Sequence, residues 1–162
     1  MKAIRVVKAV MVAATAVFAA LVTVNNLVDY GSNYAFVGHT LSMDTTFPGN
    51  ALRNRAIDTP AIWTLAYWSI IAAEAATALV LGFAALRLFA VRNAPAATFN
   101  AAKQFVAIGA GLGFLLWFGG FIVVGGEWFA MWQSKTWNGQ EAAFRFYMTL
   151  LAVLIFVNQP DD

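Results

Sequence analysis

Glu74 is the residue most at odds with its neighbours: it stands inside a long apolar run between Pro60 and Leu86. An ionised carboxylate in hydrocarbon costs several kcal/mol unless it is paired or hydrated, so such a group marks a functional site by default. On a helix its neighbours include Ile70, Ile71, Thr77 and Ala78, which places it toward packed helices and away from lipid. Three chemistries are open to it: a proton-relay carboxyl, a neutral acid hydrogen-bonded to a neighbouring helix, or a contact to a partner subunit. The second fits best, because a relay needs several titratable groups and no other apolar run supplies one in its interior.

His39 and Met43 form a second candidate set. Their i, i+4 spacing presents a nitrogen and a soft sulfur together if Phe36 to Met43 is helical, and Met131 adds a third soft donor from a later loop. A copper or haem site would use such atoms, but a lone loop histidine more commonly makes a structural hydrogen bond. With one histidine and no cysteine, the chain by itself excludes a bis-histidine haem, a multi-histidine metal centre, an iron–sulfur cluster and a thiolate nucleophile. No metal site is expected. Asp44 is a candidate ion-pair partner for Arg53, Arg55 or Arg145, and Glu127 is another acid within reach of the same bases. Glu141 and Arg145, four residues apart on one helical face, read as an interfacial ion pair. Trp128, Trp132 and Trp137 suit a membrane–water boundary, where an apolar ring and a polar N–H are both satisfied. A nucleophile with its base, a phosphate-binding glycine loop and a paired-carboxylate pattern are all missing, so an enzyme is not expected.

The elements that position these residues follow from solvent. Of the 162 residues, 61% are hydrophobic and 11% are charged. A small water-soluble domain exposes too much of its surface to hide that composition, so lipid is the fitting solvent. Apolar runs predict four transmembrane helices over about 4–26, 60–86, 105–124 and 142–157, an all-α four-helix transmembrane bundle forming a single integral membrane domain. The basic start followed by Ala9 to Val24 resembles a signal peptide, but with Ile4 and Val6 included it reaches the roughly 20 residues needed to span. The second helix opens on Asp58-Thr59-Pro60, a capping residue followed by proline at the first helical position. Within Gly109-Ala110-Gly111-Leu112-Gly113, the pair Gly109 and Gly113 has the small-xxx-small spacing that lets helix backbones approach closely.

Between the first two spans, Asn25 to Thr59 reads as an aqueous loop, long enough that part of it should be structured. With the tryptophan-rich stretch after Gly126 it is expected to form a structured outer cap. Lys2, Arg5, Lys8, Arg87, Arg92 and Lys103 fall on one side of the spans, against Arg53, Arg55, Lys135 and Arg145 on the other. That bias places both termini in the cytoplasm. The net charge of +2 is too small and too scattered for nucleic-acid binding.

The loop strings Asn33-Tyr34-Ala35-Phe36-Val37-Gly38-His39, Met43-Asp44-Thr45-Thr46-Phe47-Pro48-Gly49-Asn50, Gly125-Gly126-Glu127-Trp128-Phe129-Ala130-Met131-Trp132-Gln133-Ser134 and Trp137-Asn138-Gly139-Gln140-Glu141 are more specific than the spans. Together they resemble an uncharacterised bacterial family of predicted small integral membrane proteins, domain-of-unknown-function family 2165, over nearly the whole chain. The resemblance implies a bacterial inner-membrane protein of four helices and brings no activity, catalytic residue or cofactor with it. Two functional expectations follow. The first is a non-catalytic accessory subunit that packs on a larger membrane complex, or on itself, through glycine-lined helix faces and the aromatic cap. The second is a small transporter or ligand-binding membrane protein in which Glu74, Asp44, His39, Trp128 and Trp132 line a cavity for a proton, a metal or a small hydrophobic molecule such as a lipid or quinone.

Overall fold

Peptide groups in hydrocarbon find partners only within a helix or a closed barrel. The computed structural model describes residues 2–162 and contains no strand among them. α1 runs Lys2–Val28, α2 Tyr30–Ser42, α3 Pro60–Ala90, α4 Ala96–Ala102, α5 Gln104–Phe114 and α6 Gln140–Asn158. Beyond α5 the same rod continues over Leu115–Trp128 with π-helical i→i+5 bonding, closed by Phe129 N–H donating to the Val124 carbonyl at 3.0 Å. Four rods are long and apolar enough to cross a membrane: Ala3–Val28, Pro60–Ala90, Ala96–Trp128 and Gln140–Asn158. The third begins earlier than expected, since Ala96–Ala102 is already helical and the connection shrinks to the residues around Pro95. At the start of α3, Pro60 takes the first turn as expected, but the Thr59 hydroxyl makes no capping bond.

The rods share a core of Val12, Leu81, Leu88, Val106, Trp117 and Leu150. Their outer faces carry Val17, Leu21, Leu79, Leu86, Leu115 and Ile155, all exposed, as hydrocarbon surroundings permit. Gly109 and Gly113 lie inside this bundle, contrary to the expectation that they offer a face to a partner. A Cβ at Gly109 would stand 2.7 Å from the Leu81 side chain and 3.2 Å from its backbone nitrogen, and one at Gly113 would strike Leu150, Trp117 and Thr77. The close approach is between α5 and its own neighbours, α3 and α6.

The loop expected from Asn25 to Thr59 is largely not a loop. α1 carries on to Val28, and after a break at Asp29 the chain re-enters helix as α2. Tyr30, Tyr34, Val37 and Leu41 recur on one face of α2 and pack on Trp63, Ala66, Tyr67 and Ile70 of α3. Met43 ends α2 in a left-handed conformation, φ 54°, its N–H donating to the Thr40 carbonyl. The remaining loop is tied to the connection between the third and fourth rods. Thr45 Oγ1 donates to Ser134 Oγ at 2.9 Å, Phe47 N–H donates to Gln133 Oε1 at 3.0 Å, and Arg55 Nη1 donates to the Trp128 carbonyl at 3.1 Å.

At the opposite end the first and last turns of the chain are locked together. Lys8 Nζ and Lys103 Nζ each lie 2.6 Å from Asp161 Oδ2, and both donate to the Gln159 carbonyl at 2.7 Å. Arg5 lies 3.8 Å from Asp161 Oδ1 and donates to the carbonyls of Ala94 and Asp162. Asn100 completes the clasp, donating through Nδ2 to the Asp161 carbonyl at 3.0 Å. Arg5, Lys8, Lys103 and Asp161 are all buried. Burial opposes ionisation of Asp161, but the ammonium groups of Lys103 and Lys8 outweigh it and hold the carboxyl below its ordinary value.

Candidate functional site

Glu74 lies on the fourth turn of α3, roughly 21 Å along its axis from Pro60 at 1.5 Å per residue, and is only 2% exposed. Its partner comes from α1. Asn26 Nδ2 donates to Oε1 at 2.9 Å and to Oε2 at 2.7 Å. Asn26 is itself held from behind: the Tyr67 hydroxyl, two turns before Glu74 on α3, donates to the Asn26 main-chain carbonyl at 2.7 Å. The three residues therefore form one network stitching the last full turn of α1 to α3. Both Glu74 oxygens accept from a single neutral amide, and no ion pair to Glu74 is present among the described residues.

The carboxyl stands in the wall of a cavity of about 190 Å³. Asn26, Tyr67, Trp117, Phe121 and Phe146 are among the residues lining it, and α2 adds Asn33, Phe36 and Val37. A second, more apolar cavity of about 270 Å³ shares Phe36, Val37, Ile70 and Phe121 with the first and extends to Gly125, Phe129 and Met131. The π-helical stretch supplies Trp117 and Phe121 to the first cavity, and helices of this kind are rare and concentrate at functional sites. Trp117 is buried, with Phe18 at 5.8 Å and Phe146 at 5.5 Å between ring centroids. The arrangement is one carboxyl facing a pocket whose largely apolar wall includes the rings of Phe36, Tyr67, Trp117, Phe121 and Phe146.

The other candidate residues gather elsewhere. His39 stacks on Trp137 with 4.6 Å between ring centroids, and its Nδ1 lies 2.7 Å from Asp44 Oδ2. Asp44 therefore pairs with His39 and not with Arg53, Arg55 or Arg145. Arg53 donates instead to the Met43 carbonyl at 2.7 Å, and Arg55 stacks over Trp128 at 4.5 Å. The condition under which His39 and Met43 would present a nitrogen and a sulfur together is not met, because the helix stops before Met43. The Met43 side chain is buried with Leu41, Tyr67 and Phe129. Met131 is buried in the wall of the second cavity, while Glu127, Trp128 and Trp132 are exposed. Glu141 and Arg145 pair on the surface of α6. No group of three or more His, Asp or Glu poised for a metal occurs among the described residues. Asp44, His39, Trp128 and Trp132, expected to share a cavity with Glu74, are absent from its lining.

Sequence reasoning found Glu74 and missed Asn26, Tyr67 and the aromatic wall. Asn26 is 48 residues away in sequence and at the polar end of an apolar run, where it passes for a loop residue. The four-residue spacing of Trp117 and Phe121 is no more conspicuous, since that rod is apolar on every side.

A family model described as predicted small integral membrane protein (DUF2165) matches residues 4–160. No curated protein and no solved structure matches the chain.

Proposed function

The chain belongs to the DUF2165 family of predicted small integral membrane proteins, and from that premise we propose that it binds a small, largely apolar molecule inside the bilayer, with Glu74 at the polar end of the pocket. The carrying observation is a fully buried carboxyl whose only hydrogen-bond partner among the described residues is one amide, set in the wall of a cavity. A carboxyl kept only for helix packing is better served by a filled interior, because an empty space beside a buried polar group forfeits both dispersion and solvation. Pockets with apolar and aromatic walls and a few placed polar atoms are the usual form of small-molecule sites. A lipid fragment or a quinone is within the chemical range of such a cavity, and the role is binding or transport, not catalysis.

The membrane we assign is the bacterial inner membrane, with both termini in the cytoplasm. Arg5, Lys8, Arg92 and Lys103 cluster at the end where residues 5 and 162 meet, which supports that orientation. The alternative role, an accessory subunit within a larger complex, no longer has Gly109 and Gly113 as its contact surface, since both are used internally. It retains the exposed tryptophans Trp128 and Trp132 as a contact surface.

The test is recovery of the occupant. Protein extracted gently from native membranes and then stripped with organic solvent should release a stoichiometric small molecule, identified by mass spectrometry. Ala142 lines the pocket yet is exposed, so Ala142→Phe narrows the cavity from its edge. That variant should fold and release much less. Equal recovery from both proteins, or a tightly held partner subunit with no small molecule, would overturn the reading.

A further inference from the structure

Resting on the pocket reading above, we infer that the occupant carries a positive charge, an organic ammonium or similar lipophilic cation seated between Glu74 and the aromatic wall. In a low-dielectric interior a carboxyl must be neutralised, either by a proton or by a cation. Among the described residues the pocket lining offers no cation: α1 contributes Val22 and Asn26, α2 Asn33, Phe36 and Val37, and α6 Ala142, Ala143 and Phe146. α3 adds Tyr67 and Ile70, and the π-helical stretch Trp117 and Phe121. Lysine, arginine and histidine are all missing from that lining, although lysine and arginine stand at both ends of the bundle.

The rings point the same way. The negative faces of Trp, Tyr and Phe attract cations, and an ammonium group enclosed by several such rings beside a carboxylate is held without any hydrogen bond of its own. A lipid chain gains nothing from the carboxyl, a quinone carbonyl gains a hydrogen bond only from its protonated form, and an anion is repelled by the ionised form, whereas a cation is attracted by it. The Asn26 amide, held in place by the Tyr67 hydroxyl, occupies one side of the carboxylate and leaves the cavity as the side from which a cation approaches. The adjoining apolar cavity, reached past Phe36 and Phe121, suits a hydrophobic substituent on the same molecule.

Benzyltrimethylammonium and its neutral carbon isostere neopentylbenzene have the same shape and differ in charge alone. Each is titrated calorimetrically into lipid nanodiscs with and without the intact protein. The expected result is saturable binding of benzyltrimethylammonium, at least about tenfold tighter than that of neopentylbenzene and weakened at least about tenfold by Glu74→Gln. The comparison of the two probes on the unaltered protein needs no variant, so misfolding of Glu74→Gln does not blunt it. Binding of the neutral probe as tightly as the cation would overturn the charge assignment and leave the pocket standing. Recovery of a neutral native occupant would do the same. Failure of both probes, with nothing recovered from native membranes, would remove the pocket reading and this inference together.

Discussion

Asn26 is the residue on which the geometry of Glu74 turns, because its one amide satisfies both carboxyl oxygens while its carbonyl anchors Tyr67. Removing a partner from a buried polar group costs more than the bond itself contributed, about 1–3 kcal/mol. Asn26→Leu is therefore expected to lower stability by that amount in detergent, measured by thermal unfolding of the purified protein. Tyr67→Phe, which deletes only a hydroxyl, should cost about 1 kcal/mol. The two should be non-additive in a double-mutant cycle, since both act on one network. Additive losses would mean that Tyr67 does not hold Asn26 in place. In the sequence Glu74 announced itself, because a carboxyl in an apolar run is conspicuous; its amide partner did not, because asparagine near a helix end is ordinary.

At the level of the helices, the number and approximate place of the spans were legible, while the extra length of the third rod and the facings were not. Lipid requires long apolar runs, and these stand out in any hydropathy reading; but a rod that is apolar all round carries no stripe to say which side is buried. Gly109 and Gly113 were legible as a close-approach pair, yet whether the approaching helix belonged to this chain or to a partner was not. α2 was readable in principle through the spacing of Tyr30, Tyr34, Val37 and Leu41, but the intervening Ser32, Asn33 and His39 concealed it. Gly109→Ala places its methyl against Leu81 and is expected to destabilise the fold by about 1–3 kcal/mol. Gly111→Ala meets nothing within 4 Å and should be neutral or slightly stabilising. Denaturation of the two variants side by side in one detergent checks the contrast, and equal behaviour would mean that α5 does not pack on α3 as described.

For the whole molecule, acid sensitivity should centre on the clasp. Lys103 and Lys8 hold the Asp161 carboxyl below its ordinary value, so the unfolded chain takes up this proton first as pH falls. The stabilisation is complete at neutral pH, erodes as pH drops through the usual carboxylate value of about 3.9, and is gone below the folded value. Asp161→Asn is expected to lose about 3 kcal/mol or more at neutral pH, since it leaves Arg5, Lys8 and Lys103 buried without their acid. Its remaining stability should depend less on pH than that of the parent, as thermal unfolding across a pH series would report. Topology is equally accessible because the chain has no cysteine. Asn138→Cys, exposed beside α6, should react with a membrane-impermeant maleimide added outside intact cells, whereas Ala97→Cys, at the end bearing the termini, should react only after lysis. The reverse pattern would invert the orientation.

The Lys8–Asp161 pair spans 153 positions of sequence, which sets an order of events during synthesis. Translation delivers Lys8 before Lys103, while the acid that neutralises them emerges only after α6. Until then the ammonium groups lack the partner that makes their burial tolerable, and water or lipid phosphate is the setting their charge favours. A chain cut short before Asp161 never acquires that acid, and its Lys8 and Lys103 are left without the carboxyl that neutralises them in the folded protein.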